Sequence, residues 1–396
     1  MGDRSSRQEL QLTILMPCLN EAETIGICIR KARGYIERSG IPGEVLIADN
    51  GSTDGSREIA LELGAKVVSV PEKGYGSALI SGINSARGEY IIMGDADDSY
   101  DFSNLDPFIQ ELQRGGDLVM GNRFKGGIRK NAMPFLHKKL GNPVLSFIGR
   151  LFFDIKIGDF HCGLRGFKAE KIRSLNLKTT GMEFASEMIV KARFFNLNIV
   201  EVPTVLYPDG RSRPPHLKTW RDGWRHLVFL LIYSPRWLFL YPGLFMFLCC
   251  SVLFGVLQFS RLKVGRVYFD IHSLIIVGFG IIVSFQIILF AVFSKVFSTN
   301  YGLIPERENY KIWYKYFNLE RGIISGLLLL IMGIVILFSS LLYWKNLQFG
   351  EVKNISSTFR EVILGSVLST LGVQIIFSSF MFRIIGIESK KINIHA

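Results

Sequence analysis

The stretch 88–102, GEYIIMGDADDSYDF, decides the fold. Its residues 90–93 are apolar or nearly so and stand between Gly88 and Gly94, a pattern that predicts a short strand buried on both faces within a parallel sheet. Four carboxylates follow within seven positions: Asp95, Asp97, Asp98 and Asp101. The ligand crevice of an open α/β sheet lies just outside the carboxyl ends of its strands, so these acids are expected to border it.

The carboxylates themselves indicate a cation. Negative charges this close repel one another unless positive charge lies among them, and carboxylate oxygens are the ligands that Mg²⁺ prefers. The D-x-D of Asp95 and Asp97 is therefore a candidate clamp for a metal ion and a diphosphate. The alternative is an acidic turn in which Asp98 or Ser103 caps the next helix.

Strand and helix patterns alternate along the first half of the chain. Short apolar runs predict strands at residues 12–16, 44–48, 66–70 and 90–93. Amphipathic segments predict helices at residues 21–38, 55–63 and 77–86. This alternation is typical of a mainly parallel, layered α/β sheet. Further strands are predicted at 118–121 and 199–202, whereas 158–166 mixes small, acidic and basic residues and is not expected to be a core strand.

Two of these strands end in acids, Asp49 and Asp95, at the same edge of the predicted sheet. That edge is expected to hold a nucleotide, with Asp49 accepting hydrogen bonds from a base or ribose. A dinucleotide-binding Rossmann fold is disfavoured, because Gly74-Tyr75-Gly76 is only part of the G-x-G-x-x-G fingerprint and follows the third strand rather than the first.

Taken together, these motifs resemble a known family. They are PCLNE at 17–21, DNGSTDGS at 49–56, GYGSALISGINSARG at 74–88 and DADD at 95–98. The set is similar to that of family 2 glycosyltransferases with an A-type nucleotide-sugar-binding domain. Within the family it most resembles the polyprenyl-phosphate hexose synthases, such as dolichol-phosphate mannose and glucose synthases, over residues 12–240.

The resemblance implies roles for individual residues. Five of them would bind the donor nucleotide: Pro17, Asn20, Glu21, Asp49 and Asp95. Asp95 and Asp97 would hold Mg²⁺ or Mn²⁺ against the diphosphate, which makes Asp97 a catalytic residue. Two positions depart from the family pattern: Asn50 stands where a second acid is common, and Ser99 where an amide is common. Whether Ser99 is a metal ligand is therefore open.

A basic loop follows the strand predicted at 118–121. An arginine fork binds phosphate through two parallel hydrogen bonds, although a run of charge is more often a solvated surface. The resemblance favours the first interpretation. It implies that Arg123 is a catalytic residue near the donor diphosphate and binds the acceptor phosphate, with Arg129 as a second candidate for binding that phosphate.

The segment 158–166 resembles the D-x-x-x-G-x-R motif on the acceptor side of the family's site. By this resemblance Asp159 would bind on the acceptor side, at the acceptor phosphate, and Arg165 would be a catalytic residue. His161 is not assigned as a general base, because a phosphate monoester has its second pKa near 6 and is largely a dianion at neutral pH.

Two later segments add candidates. Glu183 and Glu187 are four apart on one helix face and are either surface acids or partners of the loop arginines, so Glu187 is a supporting residue. The loop 208–218 is too rich in proline and glycine for a regular element. It carries three cations expected to bind the acceptor phosphate: Arg211, Arg213 and Lys218.

The second half of the chain is apolar. Residues 219–236 combine tryptophan and arginine and predict a helix lying in a membrane interface. Four stretches are long enough to cross the hydrocarbon core: 237–258, 273–293, 323–344 and 362–382. The expected domains are thus a catalytic domain at 1–218, an interfacial segment at 219–236 and an all-α transmembrane domain at 237–396.

Loop charges predict the orientation. Lys and Arg number five in the segment 294–322, against three in 260–271 and three in 345–361. By the positive-inside rule, the catalytic domain and the 294–322 loop are cytoplasmic. The N-terminal segment lacks an apolar signal-peptide region, which agrees with this expectation.

These patterns predict one reaction above others: inverting transfer of a hexose from a nucleotide-sugar of the UDP-glucose or GDP-mannose type to polyprenyl phosphate. The net charge of +12 suits phosphorylated ligands and a membrane surface, and nucleic acid is not expected as a partner. A homo-oligomer is left open. The alternatives are a processive polysaccharide synthase, which usually needs Q-x-x-R-W where this chain has only Arg236-Trp237, and a non-catalytic membrane scaffold that binds lipid phosphate.

Overall fold

A computed structural model describes residues 10–212, 219–300, 319–352 and 354–392. The chain divides into two compact units, Met1–Tyr233 and Ser234–Ala396. The helix predicted to lie in the membrane interface belongs to the first of these units rather than standing apart as a segment of its own.

The first unit is built on a seven-stranded sheet with the strand order β3-β2-β1-β4-β6-β5-β7. Its strands are β1 Leu12–Cys18, β2 Gly43–Asp49, β3 Lys66–Ser69, β4 Tyr90–Met93, β5 Leu118–Asn122, β6 Arg165–Lys168 and β7 Ile199–Pro203. All neighbouring pairs are parallel except those of β6, which runs antiparallel to both β4 and β5. The α/β fold expected from the sequence is confirmed.

Helices cover both faces of the sheet. They are α1 Ile25–Ser39, α2 Ser56–Glu62, α3 Tyr75–Ser85, α4 Asp106–Gln113, α5 Arg123–Gly126, α6 Asn142–Phe153, α7 Ala169–Ser174, α8 Phe184–Phe194 and α9 Thr219–Ile232, with a π-helical turn His137–Gly141 leading into α6. Alternate residues of β1 belong to different cores: Leu15 packs with α3 and α8, whereas Ile14 packs with α1 and α4. This is the pattern of a strand buried on both faces.

Strand β6 corrects the expectation that 158–166 contains no core strand. The segment Arg165–Lys168 is buried between β4 and β5, and its first residue is an arginine without exposed surface. An interior strand accepts this side chain because backbone carbonyl groups take its hydrogen bonds. Apolar periodicity could not reveal a strand whose inward residue is charged.

The second unit consists of long helices. They are α10 Tyr241–Phe259, α11 Ile271–Asn300, α12 Leu319–Asn346 and α13 Ile355–Ile392, with a hairpin of β8 Leu262–Val264 and β9 Val267–Phe269 between α10 and α11. Among the described residues, four segments are long and apolar enough to cross a membrane: Arg236–Phe259, Ile271–Asn300, Leu319–Asn346 and Ile355–Ile385. They overlap the four predicted stretches.

Glycines bring α12 and α13 close together. A Cβ atom on Gly326 would lie 2.8 Å from the carbonyl oxygen of Gly372, and one on Gly333 would lie 2.6 Å from that of Gly365. Small residues at a helix contact allow the close backbone approach that holds helices together in lipid, where no hydrophobic force acts between them.

Candidate functional site

The loops that follow β1 and β2 are bound to each other at the carboxyl edge of the sheet. Asn20 donates its backbone N–H to Ser52 Oγ at 2.9 Å, and Glu21 donates its N–H to Ser56 Oγ at 2.8 Å. In return, Thr53 donates its N–H to Asn20 Oδ1 at 2.8 Å. These reciprocal hydrogen bonds join the two loops into one wall at the edge where a ligand crevice is expected.

Asp49, the last residue of β2, lies buried in this wall. Its carboxylate accepts the backbone N–H groups of Gly51 and Ser52 at 3.3 and 3.1 Å. Pro17, near the end of β1, is paired with Ala48 beside it. The structure thus brings together the residues that the resemblance assigned to the donor nucleotide at the ends of β1 and β2.

Asn50, which stands where the family often has a second acid, has a structural role. Its amide nitrogen donates to the carbonyl oxygens of Val70 and Glu72 at 3.1 and 2.7 Å, and its amide oxygen accepts from Gly74 N–H at 2.7 Å. A carboxylate could not donate the first two bonds. The amide therefore ties the end of β2 to the loop that enters α3.

The two acids of the D-x-D are held by different neighbours. Asp95 Oδ1 accepts the hydroxyl of Tyr75 at 3.0 Å. Asp97 Oδ1 accepts both the hydroxyl and the backbone N–H of Ser99, at 2.5 and 3.1 Å. Ser99 thus orients a predicted metal ligand through its hydroxyl.

The other two acids of the motif point elsewhere. Asp98 forms an ion pair with Lys31 at 2.7 Å, and Asp101 accepts from the hydroxyl of Ser103 at 2.6 Å. Helix α4 begins after Leu105 with no side-chain cap, so the alternative of an acidic turn that caps this helix is not found. Asp95 and Asp97 are the pair that remains at the crevice.

The pKa of Asp95 is raised by burial and by the neighbouring negative charge of Asp97. Burial raises the pKa to about 6, and the nearby charge of Asp97 adds to the rise, while Tyr75 and the guanidinium groups of Arg211 and Arg123 partly oppose it. Two carboxylates gathered in a partly dry site are what a hard divalent cation requires. Their oxygen donors fit Mg²⁺ or Mn²⁺.

The segment between α6 and β6 passes directly against Asp95. A Cβ atom on Gly163 would lie 2.4 Å from Asp95 Oδ2, and Gly163 donates its N–H to the Tyr100 hydroxyl at 2.9 Å. Only glycine allows this approach. Sequence reasoning quoted Gly163 as part of a motif but gave it no role.

Arg123 and Asp159, both predicted to bind phosphate, bind each other. Arg123 Nε and Nη2 donate to the two carboxylate oxygens at 2.6 and 2.8 Å, and the backbone N–H of Arg123 donates as well, at 3.1 Å. Asp159 has no exposed surface, so the prediction that it contacts the acceptor phosphate is wrong: a buried carboxylate engaged by arginine positions that arginine. This ion pair contributes to a pKa of Arg123 well above its usual range.

Arg165 is also corrected. It has no exposed surface, and its guanidinium donates to the carbonyl oxygens of Cys162, Ala185 and Phe160 at 2.9, 2.8 and 3.1 Å. The side chain therefore braces the start of β6 against α8, which replaces the predicted catalytic contact. Burial lowers its pKa from the usual value.

Arg211 reaches the D-x-D from the loop after β7. Its guanidinium lies 2.8 Å from Asp97 Oδ2 and 3.1 Å from Glu21 Oε1. The loop is held there because Gly210 donates its N–H to the carbonyl oxygen of Asp97 at 2.9 Å. Arg211 thus joins the wall formed by the first two loops to the metal-binding acids.

Of the remaining predicted cations, only Arg129 lies within the described residues. Arg129 is exposed and lies over the Tyr207 ring, 5.7 Å from its centroid, at the base of the Arg211 loop. Arg213 and Lys218 fall outside the described residues.

Glu187, predicted to be a supporting residue, lies on α8. It is fully buried, pairs with Lys191 at 2.8 Å and accepts two bonds from Thr179, at 2.8 Å from N–H and 2.6 Å from the hydroxyl. The next carbonyl oxygen, that of Thr180, accepts from Gly76 N–H at 2.9 Å at the start of α3. Neither alternative for Glu187, a surface acid or a partner of the loop arginines, is correct.

This network ends at the D-x-D. Helix α3 carries Tyr75, which donates to Asp95, so a chain of contacts runs from Glu187 through the Thr179 loop and α3 to Asp95. Sequence reasoning missed Tyr75, although it lies in the quoted GYG motif. The sequence signal that could have indicated Tyr75 is its position between two glycines at the start of a predicted helix.

The chain is similar in sequence to known glycosyltransferases. The sequence profile of Glycosyl transferase family 2 matches residues 13–175, and that of the glycosyltransferase family 2 C-terminal transmembrane region matches residues 292–386. The low-salt glycan biosynthesis hexosyltransferase Agl6 of Haloferax volcanii is 36% identical over 383 residues, 95% of this chain and 89% of that protein. Glycosyltransferase AglJ of the same organism is 33% identical over 56% of this chain and 70% of its own.

Among solved structures, glucosyl-3-phosphoglycerate synthase from Mycobacterium tuberculosis, in complex with Mn²⁺, uridine diphosphate and glucosyl-3-phosphoglycerate, is similar to the chain. The identity is 21% and the TM-score 0.45, over 57% of this chain and 80% of that one. A likeness at this level assigns no residue.

Replacing Tyr75 by Phe should weaken metal binding about tenfold. The variant loses a hydrogen bond to an ionised carboxylate, worth about 1.5 kcal/mol, and the pKa of Asp95 rises further. Titration with Mn²⁺ followed by electron paramagnetic resonance measures the change. The matched control is Tyr90→Phe at the other end of β4, which should bind as the wild type does; equal affinity of both variants would contradict the role of Tyr75.

The raised pKa of Asp95 predicts a dependence of stability on pH in the absence of metal. A group whose pKa is higher in the folded protein stabilises it fully below the unfolded value, 3.8, and this contribution is lost as pH rises through about 6. Asp95→Asn should therefore be more stable than the wild type by about 3 kcal/mol at pH 7 in EDTA, with the difference shrinking toward pH 4. Thermal unfolding across this range is the measurement, and a constant difference would refute the assignment.

Replacing Glu187 by Gln should lower the free energy of unfolding of the first unit by about 3 kcal/mol, because Lys191 is left as a buried charge without its partner. The double variant Glu187→Gln/Lys191→Met should recover at least half of the loss. Glu170→Gln, at an exposed position of α7, is the matched control. Denaturant unfolding gives the three values, and a double variant no better than the single one would argue against the ion pair.

Proposed function

Because the chain belongs to glycosyltransferase family 2 and carries the C-terminal transmembrane region of that family, we propose that it transfers a hexose from a nucleotide-sugar to polyprenyl phosphate. The donor is of the UDP-glucose or GDP-mannose type. One observation carries the proposal: the two acids of the D-x-D lie beside arginines, as a crevice for two phosphate-bearing substrates requires. The membrane region supports a lipid acceptor.

The donor nucleotide is proposed to bind at the carboxyl ends of β1 and β2. There Pro17, Asn20, Glu21 and Asp49 share one wall, stiffened by hydrogen bonds between its two loops. A preformed wall reduces the ordering that binding requires, which favours affinity. Asp49 is proposed to accept hydrogen bonds from the ribose or the base.

Mg²⁺ or Mn²⁺ is proposed to bind Asp95 and Asp97. Within the part of the chain that the structure describes, no group of three or more His, Cys, Asp or Glu residues could hold a metal ion. Two carboxylates with substrate phosphates and water are, however, a usual ligand set for Mg²⁺. The bound ion would stabilise the charge that develops on the departing diphosphate.

The chemical step needs an oxygen nucleophile and a good leaving group. The dianionic lipid phosphate attacks the anomeric carbon; a new carbon–oxygen bond forms as the bond to the diphosphate breaks, and the nucleoside diphosphate leaves with that electron pair. A single displacement inverts the configuration. Arg123, Arg129 and Arg211 are proposed to bind the phosphate oxygens, as are Arg213 and Lys218.

No general base is assigned. The acceptor phosphate is already ionised at neutral pH. His161, the histidine in the segment 158–166, packs edge-on against His226 with ring centroids 4.5 Å apart. Burial holds the pKa of His161 well below the usual range. This surrounding supports a structural role for the imidazole.

The chain is a membrane protein, and we infer that its catalytic unit is cytoplasmic. The inference rests on the positive charge of the sequence segment 294–322, which the positive-inside rule assigns to the same side. The transmembrane domain is proposed to span 237–396, preceded by the interfacial segment 219–236.

Product analysis tests the reaction. Purified protein in detergent is incubated with polyprenyl phosphate, Mg²⁺ or Mn²⁺ and a panel of nucleotide-sugars, and the lipid fraction is examined by mass spectrometry. We expect one monoglycosylated lipid phosphate, from a single donor, and a loss of at least 1,000-fold in Asp97→Asn, which removes a metal-binding charge. Asp101→Asn, whose acid lies outside the crevice, is the matched control and should retain activity.

Other outcomes would overturn the proposal. A water-soluble polymer would favour a processive polysaccharide synthase. Binding of lipid phosphate without any product, unchanged in Asp97→Asn, would favour a non-catalytic scaffold.

A further inference from the structure

A carboxylate on the edge strand β7 faces the part of the chain that carries Arg123. It belongs to Glu201, in the middle of the strand, and 7% of this side chain is exposed. Its two oxygens accept four hydrogen bonds, at 3.0, 2.6, 3.2 and 2.9 Å: from Asn122 Nδ2, from the backbone N–H groups of Gly158 and Asp159, and from Lys125 Nζ. One side chain thus joins β7 to two separate segments, 122–125 and 158–159.

The contact with Asn122 orients the turn from which Arg123 extends. Asn122 is the N-cap of α5, and its amide oxygen accepts the backbone N–H groups of Phe124 and Lys125 at 2.9 and 3.0 Å. The amide carries its acceptor and its donors on different atoms, so the bond from Nδ2 to Glu201 keeps the oxygen directed at α5. Arg123 is the first residue of this helix, and the cap therefore sets its direction.

Two further bonds hold the partner of Arg123. Residues 154–164, between α6 and β6, contain no helix or strand, so their backbone N–H groups need acceptors from elsewhere. Glu201 Oε1 accepts those of Gly158 and Asp159, which holds the Asp159 carboxylate against Nε and Nη2 of Arg123. A Cβ atom on Gly158 would lie 2.7 Å from Asn122 Nδ2, so only glycine allows the two segments to meet here.

The ion pair with Asp159 leaves one side of the Arg123 guanidinium for another ligand. Nε and Nη2 are both engaged, whereas Nη1 has no hydrogen-bond partner within the part of the chain that the structure describes. A guanidinium that is already held in place binds a phosphate oxygen without first losing side-chain freedom. A misplacement of about 1 Å at a reacting centre costs about a hundredfold in rate, so what holds Arg123 matters to the reaction.

Glu201 itself is not arranged to bind a substrate or a metal ion. A carboxylate has about four acceptor sites, and the four hydrogen bonds from the protein occupy them. The side chain of Lys125 is 59% exposed, and it is the partner that water replaces most easily. The three bonds to Oε1 are therefore the ones on which the geometry depends.

We propose that Glu201 is the positioning residue of Arg123, which it holds from two sides. It acts through the Asn122 cap at the start of α5 and through the segment that carries Asp159. The inference rests on the proposed function for the part that Arg123 takes at phosphate.

Three variants separate this role from a general effect on folding. Glu201→Leu removes all four hydrogen bonds. Glu201→Gln keeps an oxygen in the place of Oε1, with its three donors, and turns its amide nitrogen only toward Lys125. The matched control is Glu44→Leu. The Glu44 side chain is 8% exposed and accepts bonds from Thr13 and Arg87, but it lies at the start of β2, at the other end of the parallel strands from the crevice.

Hydrogen exchange followed by mass spectrometry tests the contact without reference to activity. Full-length protein in detergent is compared over residues 119–127 and 155–162. We expect exchange in both segments to be about tenfold faster in Glu201→Leu, because the N–H groups lose their acceptor or their cap. Glu201→Gln and Glu44→Leu should exchange there as the wild type does. Wild-type exchange in Glu201→Leu would overturn the proposal.

Product formation tests the link to Arg123. The value of kcat/KM should fall about 30-fold in Glu201→Leu, and less than about threefold in Glu201→Gln and Glu44→Leu. Arg123→Lys has already lost the planar fork, so adding Glu201→Leu to it should cost less than about threefold more. Losses that multiply in this double variant would overturn the proposal. Equal losses in Glu201→Leu and either Glu201→Gln or Glu44→Leu would do the same.

The two experiments distinguish the inference from the proposed function. A wild type that makes no product refutes the proposed function, and the exchange result then decides alone whether Glu201 holds Arg123. Thermal unfolding in detergent shows whether each variant is folded. If Glu201→Leu is unfolded, Glu201→Asp takes its place, because its shorter side chain withdraws the carboxylate from the same donors and is expected to speed exchange in the same two segments.

Discussion

Two like charges held close together at the end of a buried strand set the main constraint on the catalytic unit. Asp95 and Asp97 follow β4 where the sheet leaves little water, and the pKa of Asp95 is raised to about 6 as a result. Positive charge must lie nearby. Arg211 supplies it directly to Asp97 from the loop after β7, 114 residues along the chain, and Arg123 contributes from the first turn of α5, directly after β5.

The scaffold around these acids is built from buried polar groups rather than from apolar packing alone. Arg123 with Asp159, Glu187 with Lys191, and Arg165 among carbonyl oxygens all lie in the interior. Buried ion pairs add little net stability over apolar residues, but they tolerate few alternative arrangements when every partner is satisfied. In this unit they hold the loops that carry the acids, and glycine at 163 lets one loop approach Asp95.

Prediction from sequence succeeded where the signal was local. The strands β1, β2 and β4 are short apolar runs with turn formers behind them, and each reads as a buried strand by itself. β6 was missed because its inward side chain is Arg165 and because an antiparallel insertion between β4 and β5 leaves no periodic trace. Tyr75 was quoted only as part of a glycine motif, since its contact with Asp95 appears once α3 is packed on the sheet.

The sequence by itself determined the family, the alternation of strands and helices, the pair of acids and the four apolar spans. Each of these features depends on residues that are close together in the sequence. Their spacing and chemistry can be recognised without knowledge of the fold. The tertiary structure decided which acids face the crevice and that Asp159 serves Arg123 across 36 positions. The physical reason is that these pairings depend on burial and on contacts between distant segments, which exist only after the chain has folded.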